Sequence, residues 1–467
     1  MSCSSCKPTV GPEVEGKEEF PGPTTNACKL CTPLGACLAY KGIAGTVPFL
    51  HGSQGCATYI RRYLISHFRE PMDIAASNFA EHSAVFGGRE VLHNGLANVT
   101  RQYSPALIGI ATTCLSETIG ENMPQLLHEY RKKPTIKEET NLVHVSTPSF
   151  KGTHVDGFHK AVCSIVESLA TAPTPEKNGP VALMPGFVSA EDLRHLSEIF
   201  VAYGLPVTLV PDYSETMDGG SWATYERIPS GGTPVEAVQA LGSARAAIEF
   251  GRVLAGEERT AGMHLLKKFS VPLHRLGLPI GLRETDRLCE YVGCLASREI
   301  PKDLDLSRGR LIDAMVDGHK YVFGQRAVVF GDEDLVIGLT SFLTEIGVTP
   351  VLCASGGRSR RFAAALRAAV PDLPEETMIR EGADFDSIAK EAETLKPDLL
   401  IGNSKGYSLA RRLKVPLIRC GFPIHDRLGG HRVLHVGYRG ALSLYDMIVN
   451  AILERKQETS TIGYAYL

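Results

Sequence analysis

The chain has a single tryptophan, aromatic side chains make up only 7% of it, and no run of eighteen or more apolar residues interrupts it. Without such a run no membrane-spanning helix is expected. The first 25 residues, MSCSSCKPTVGPEVEGKEEFPGPTT, lack an apolar stretch and are rich in Pro and Gly, so they read as a flexible tail (1–25) and not as a secretory signal. A surplus of either charge is missing too. The net charge of −3 argues against nucleic acid or an anionic membrane surface as a partner, and the expected compartment is the cytoplasm.

What is there is ordinary globular material with one anomaly. Hydrophobic residues at 43% and charged residues at 22% suit a soluble protein, and 467 residues exceed what one core can hold. The anomaly is twelve cysteines in a chain expected to work in a reducing compartment, where disulfides do not persist. Cys163, Cys289, Cys294, Cys353, Cys420 and Cys37 sit in apolar or helical contexts such as KAVCSIVE and TPVLCAS, and read as small buried hydrophobes. Cys3, Cys6, Cys28, Cys31, Cys56 and Cys114 remain, all in the first quarter of the chain.

Short apolar runs alternate with longer amphipathic ones. Candidate strands are TVPFL (46–50), ALIGIATT (106–113), LVHVST (142–147), VALMPG (181–186), PVTLVPD (206–212), RAVVFGD (326–332), TPVLCAS (349–355), DLLIGN (398–403) and VPLIRCG (415–421). Helical periods such as EDLRHLSEIFVAYG and EDLVIGLTSFLTEIG lie between them. Strands apolar throughout and separated by helices imply parallel sheets covered on both faces. The fold class is α/β, with three Rossmann-like domains: 26–178, 179–320 after the Pro-rich break TAPTPEKNGP, and 321–467 with a C-terminal helix.

In such sheets chemistry gathers beyond the carboxyl ends of the strands. TVPFL runs into HGSQGC, made flexible by Gly52 and Gly55, so Cys56 sits at a strand-to-helix turn; ALIGIATT ends at Thr113 and Cys114. Helix N-termini favour thiolates. Cys31 lies in NACKLCTPLGAC, and LVHVST leads to Ser149. Soft thiolates from separate loops suit an iron–sulfur cluster, and three cysteines are one short of the usual four, which points to a cluster shared across a subunit interface. Rival readings are weaker. Cys3/Cys6 with Cys28/Cys31 form two CxxC pairs, but the gap between the pairs is long for a zinc site, and neither follows a βαβ strand as a thioredoxin motif would. GGRSRR (356–361) follows a strand as a phosphate loop does, without a Walker pattern.

NACKLCTPLGA, HGSQGCATYIRRYLISHFREP, AVFGG, TTCLSETIG and TPSFKGTHVDGF together resemble the β subunits of component 1 nitrogenases and their relatives. The resemblance continues through MPGFVSAEDLRHL, PIGLRETD and GFPIHDRLGGHRVLHVGYRGALSLYDMIVNAI. It implies the following. Cys31, Cys56 and Cys114 would be cluster ligands with Ser149 as a further candidate, and His51, Gly52, Gly55 and Thr113 would shape their surroundings. The cluster would be of [4Fe–4S] or [8Fe–7S] type, shared with an α-type subunit in an α2β2 heterotetramer and fed by a transient ATP-dependent iron protein. No catalytic residue is expected in this chain. Within the family, RRYLISHFREP, HDRLGGHR and HVGYRG look most like the EN-type scaffold that matures the iron–molybdenum cofactor. Some such scaffolds keep one of the three cysteines, and this chain has all three, as a dinitrogen- or carbon–sulfur-reducing β subunit would. A Rossmann-like binding protein with merely buried cysteines is the non-redox rival. Phe79, Glu81 and Phe86 would shape the subunit contact, and His425, Asp426 and Arg427 read as structural.

Overall fold

A computed structural model describes residues 25–133, 140–172 and 179–462; Cys3, Cys6 and most of the 171–180 break lie outside these. Three all-parallel sheets organise the chain. The first has the order β2 (Ala75–Ala76), β1 (Thr46–His51), β3 (Leu107–Thr112), β4 (Asn141–Val145). The second runs β6 (Val207–Leu209), β5 (Val181–Met184), β7 (Ala247–Phe250), β8 (Leu273–Leu276). The third runs β11 (Met378–Arg380), β10 (Thr349–Ser355), β9 (Arg326–Gly331), β12 (Leu399–Gly402), β13 (Leu417–Arg419). The α/β class with three parallel-sheet domains is therefore the architecture of the molecule.

β1 and β3 are buried at every position because helices cover both faces of their sheet, which is why they read as unbroken apolar runs. Their register pairs Thr46 with Leu107 and ends with His51 opposite Thr112, so the loops that follow leave the sheet side by side. β4 joins one step further, Ala111 opposite Val145.

Two buried helices, Thr32–Lys41 and His154–Leu169, pack against each other beneath this sheet. Glycine makes the approach possible: a β-carbon on Gly35 would lie 1.7 Å from the His154 carbonyl oxygen, and one on Gly157 would lie 1.9 Å from that of Thr32. Tyr40 ties the pair to the strands above, its hydroxyl donating to the carbonyls of Ile110 (3.3 Å) and Val143 (3.4 Å). The first of these helices begins where Cys31 stands, so the core contact fixes that residue's position.

Cys37, Cys163, Cys289, Cys353 and Cys420 are buried as expected, but Cys294 is exposed, near the end of the helix Gly281–Ala296. Cys28 departs from its CxxC neighbour: it joins the core of the third domain with Val328, Phe330 and Leu352, and burial pushes its thiol up to about 12. No described helix is long and apolar enough to cross a membrane.

Candidate metal centre

Cys31 caps the N-terminus of the helix Thr32–Lys41 and is exposed. Cys56 is the third residue of the helix Gln54–Phe68, within its first turn and not in the loop before it, because Ser53 is the cap. Its thiol is 3.6 Å from the Ser53 hydroxyl and half-buried. Cys114 opens the short helix Cys114–Thr118 directly after β3 and is also half-buried. Ser149 starts a single 3-10 turn after β4.

Hydrogen bonds draw these loops together. The Ser149 N–H donates to the Cys114 sulfur at 3.3 Å, while the Ser149 hydroxyl oxygen accepts the N–H of Thr32, next to Cys31, at 3.3 Å. Ser149 thus bridges two cysteine loops. The third is joined through His51 and Thr113. The His51 carbonyl accepts the Thr113 N–H at 3.2 Å and the Ser116 hydroxyl at 2.7 Å. Gly52 is required by close packing and not by flexibility: a β-carbon there would stand 2.0 Å from the Thr113 hydroxyl. Gly55, by contrast, faces open space, with the Ser53 hydroxyl its nearest neighbour at 3.8 Å.

The His51 ring is held by Phe79 and Ser77. It is fully buried edge-on to Phe79, 4.7 Å between centroids, with Nδ1 3.1 Å from the Ser77 hydroxyl. Burial lowers it to about 4, so it is neutral, and it braces the loop. Phe79 is buried with it, whereas Phe86 is 76% exposed. Asp426 is consumed by a bidentate pairing with Arg419 at 2.6 and 2.9 Å; burial works against its charge, and the guanidinium with the Ser404 hydroxyl overcomes that, holding it at about 2. It serves structure.

Several contributors were not visible in the sequence. Glu117 accepts from the hydroxyls of Thr112 and, at 2.6 Å, Ser146, clamping the ends of β3 and β4. Lys405, from the third domain, donates to the carbonyls of Ala27 (2.7 Å) and Lys29 (3.3 Å) and fastens the strand of chain that leads to Cys31. Lys405 does not signal its partners locally, and Glu117 signals only Thr112, five positions away, and not Ser146.

Among the described residues no group of three His, Cys, Asp or Glu side chains closes around one ion. The three thiols instead line an open edge. Tyr59 and Phe150, 64% and 60% exposed, belong to the helix Gln54–Phe68 that carries Cys56 and to the Ser149 turn. Such an edge fits one half of a soft-metal cluster whose other half is supplied from outside the chain.

Comparison with known proteins gives the family. Residues 31–453 match the family of nitrogenase component 1 type oxidoreductases. The nitrogenase molybdenum–iron protein beta chain of Clostridium pasteurianum is 34% identical over 93% of this chain and 94% of its own length. That of Methanothermobacter thermautotrophicus is 34% identical over 93% and 95%. A solved structure of nitrogenase Cp1 at pH 6.5 superposes with a TM-score of 0.92 at 33% identity, covering 96% of this chain and 98% of that one. The chain belongs to the nitrogenase component 1 type oxidoreductases and is similar to their beta chains.

Proposed function

We propose that this chain is the β-type subunit of an α2β2 iron–sulfur protein and holds half of a [4Fe–4S] or [8Fe–7S]-type cluster against an α-type partner. Cys31, Cys56 and Cys114 are the ligands, with Ser149 available as an oxygen donor. The observation that carries the reading is the open edge itself: one exposed and two half-buried cysteines at hydrogen-bonded strand and helix ends, with exposed Tyr59 and Phe150 on the same elements. When bound, the cluster supplies one-electron transfer between an ATP-dependent iron protein and the partner's cofactor.

The chain's own residues orient the donors. The Ser149 N–H directed at the Cys114 sulfur stabilises negative charge there, and such donors tune cluster potential. His51, Gly52 and Thr113 lock the approach to Cys56 against that to Cys114, and Tyr59 and Phe150 keep water from the junction once the partner is seated. The protein works in the cytoplasm, and its domains divide near 178 and 320.

The motifs RRYLISHFREP, HDRLGGHR and HVGYRG favour service in assembly of the iron–molybdenum cofactor. A second reading, a catalytic reductase, is favoured by the complete set of three cysteines and by relatives named as molybdenum–iron protein beta chains. Anaerobic co-purification with the α-type partner tests both. The complex carries interface iron with an electron paramagnetic resonance signal, and Cys56→Ala removes that signal; survival of the signal unaltered refutes the ligand set. Acetylene reduction with the iron protein then selects the reductase. Donation of cofactor to an apo-enzyme without acetylene reduction selects the scaffold.

A further inference from the structure

Apart from the thiol edge, the molecule contains a cavity of about 860 Å³. Its walls include the carboxyl ends of strands from all three sheets: Val145 of β4, Met184 of β5, Glu249 of β7, Gly331 of β9 and Ser355 of β10. Ligands of parallel α/β proteins collect at these ends, and the volume is that of a small-molecule site.

The charges in the wall are used unequally. Its carboxylates turn back onto backbone donors: Asp332 accepts the Leu335 N–H at 3.0 Å, Glu333 that of Ser359 at 3.2 Å, Asp334 that of Val253 at 2.8 Å and Asp156 that of Thr153 at 2.6 Å. Burial also drives Asp332 and Glu333 up to about 7 and raises Asp334. Ion pairs occupy Arg259 with Glu167, Arg361 with Glu257 and Arg275 with Glu249. Lys29 donates to the Gly152 carbonyl at 3.2 Å. Lys151, Lys160 and Arg358 line the same cavity and take part in no ion pair among the described residues. The loop GGRSRR does not cradle an anion with its backbone, because Glu381 already accepts the N–H groups of Arg360 (2.8 Å) and Phe362 (3.1 Å). What is left for a ligand is a set of side-chain cations.

We propose that this cavity binds a small polyvalent anion, bearing several carboxylates or phosphates, through Lys151, Lys160 and Arg358. Lys151 follows Ser149 by two residues, and Lys29 precedes Cys31 by two, so an occupied cavity borders both thiol loops. The site depends on the three-domain cavity and would stand even if the cysteines bound nothing.

The test uses the anaerobically purified complex with its α-type partner and titration calorimetry against citrate, pyrophosphate and, as a control, spermidine. Saturable binding of citrate or pyrophosphate at a single site per β-type chain is expected, and the preferred anion identifies carboxylate or phosphate as the recognised chemistry. The double variant K160Q/R358Q weakens that binding about ten-fold or more while iron content and thermal unfolding stay unchanged. If the double variant unfolds early, K151Q alone is read the same way. The proposal is overturned by the absence of saturable anion binding up to about 10 mM, by spermidine binding in place of the anions, or by variants that bind as tightly as the parent.

Discussion

Two regions set a thiol among polar groups, and they come out opposite. At the carboxyl end of the first sheet, Cys31, Cys56 and Cys114 stand at helix starts, the first exposed and the others half-buried. At the seam between the second domain and the C-terminal segment, Cys420 lies beside His435, whose Nδ1 meets the Asp192 carboxylate at 2.9 Å. Cysteine, histidine and aspartate in that order have the composition of a nucleophilic set. Yet Cys420 is 1% exposed, and the cavity that His435 lines holds about 20 Å³, room for a water and not for a substrate. Asp192 also accepts the backbone N–H groups of His435 and Val436, at 2.7 and 3.1 Å. It is a clamp that fastens the C-terminal segment to the helix Ala190–Ala202. Reactivity of a thiol follows its access and surroundings more than the identity of its neighbours.

The largest expected effect separates the two regions outright. Cys56→Ala and Cys114→Ala each abolish interface iron in the complex with the α-type partner, measured by metal analysis, whereas Cys420→Ala leaves iron content at the parent level. Equal iron in all three variants would erase the distinction. Next, Asp192→Asn leaves a buried imidazolium without its counter-ion and costs about 3–5 kcal/mol, read as a lower urea midpoint. A smaller loss is expected of Gly35→Ala, about 1–3 kcal/mol from overpacking against the His154 carbonyl. Because the same helix contact positions Cys31, iron content should fall with it; stability lost without iron lost would detach that cysteine from the core.

The pH response is the subtlest. Burial disfavours charge on His435, and the Asp192 carboxylate outweighs it, raising the imidazole to about 10. A folded value above the unfolded one, about 6.5, stabilises fully below that pH and loses its contribution as pH rises towards the folded value. Asp192 is lowered, so its contribution is present above its ordinary range and fades only on acidification. Urea midpoints should therefore decline between about pH 7 and 10 in the parent and stay flatter in Asp192→Asn. Parallel curves would mean that the pair is not coupled.

Much of the fold was legible because buried parallel strands are monotonously apolar. All nine runs picked out in the sequence contain strands, and their surplus residues, such as Pro185 and Asp212, belong to the loops beyond. β2, β7, β8 and β11 were not anticipated. β2 and β11 are two and three residues long, too short for a pattern. β7 carries a buried Glu249, which no apolar pattern admits; it is tolerated because Thr260, the Gly262 N–H and Arg275 satisfy it at 2.8, 3.1 and 3.3 Å. β8, with His274 and Arg275, is only half-buried and reads as polar. At the thiol edge, the loop mouths followed from strand order alone. The bracing did not: Lys405 acts across distances that local spacing does not encode, Glu117 reaches Ser146 as well as its neighbour Thr112, and Cys28, three positions before Cys31, belongs to another domain's core.

Lys405 has a consequence for how the molecule is made. The segment leading to Cys31 is fastened by a side chain 376 to 378 positions later in the chain. During synthesis from the N-terminus, that segment emerges long before its anchor exists. A nascent first domain can form its own helix contact early, but the segment that leads into Cys31 gains this anchor only when the last domain has folded onto it. The first domain's entry segment is thus completed by the last part of the chain to be made, and an unfinished chain is left with that approach unfastened.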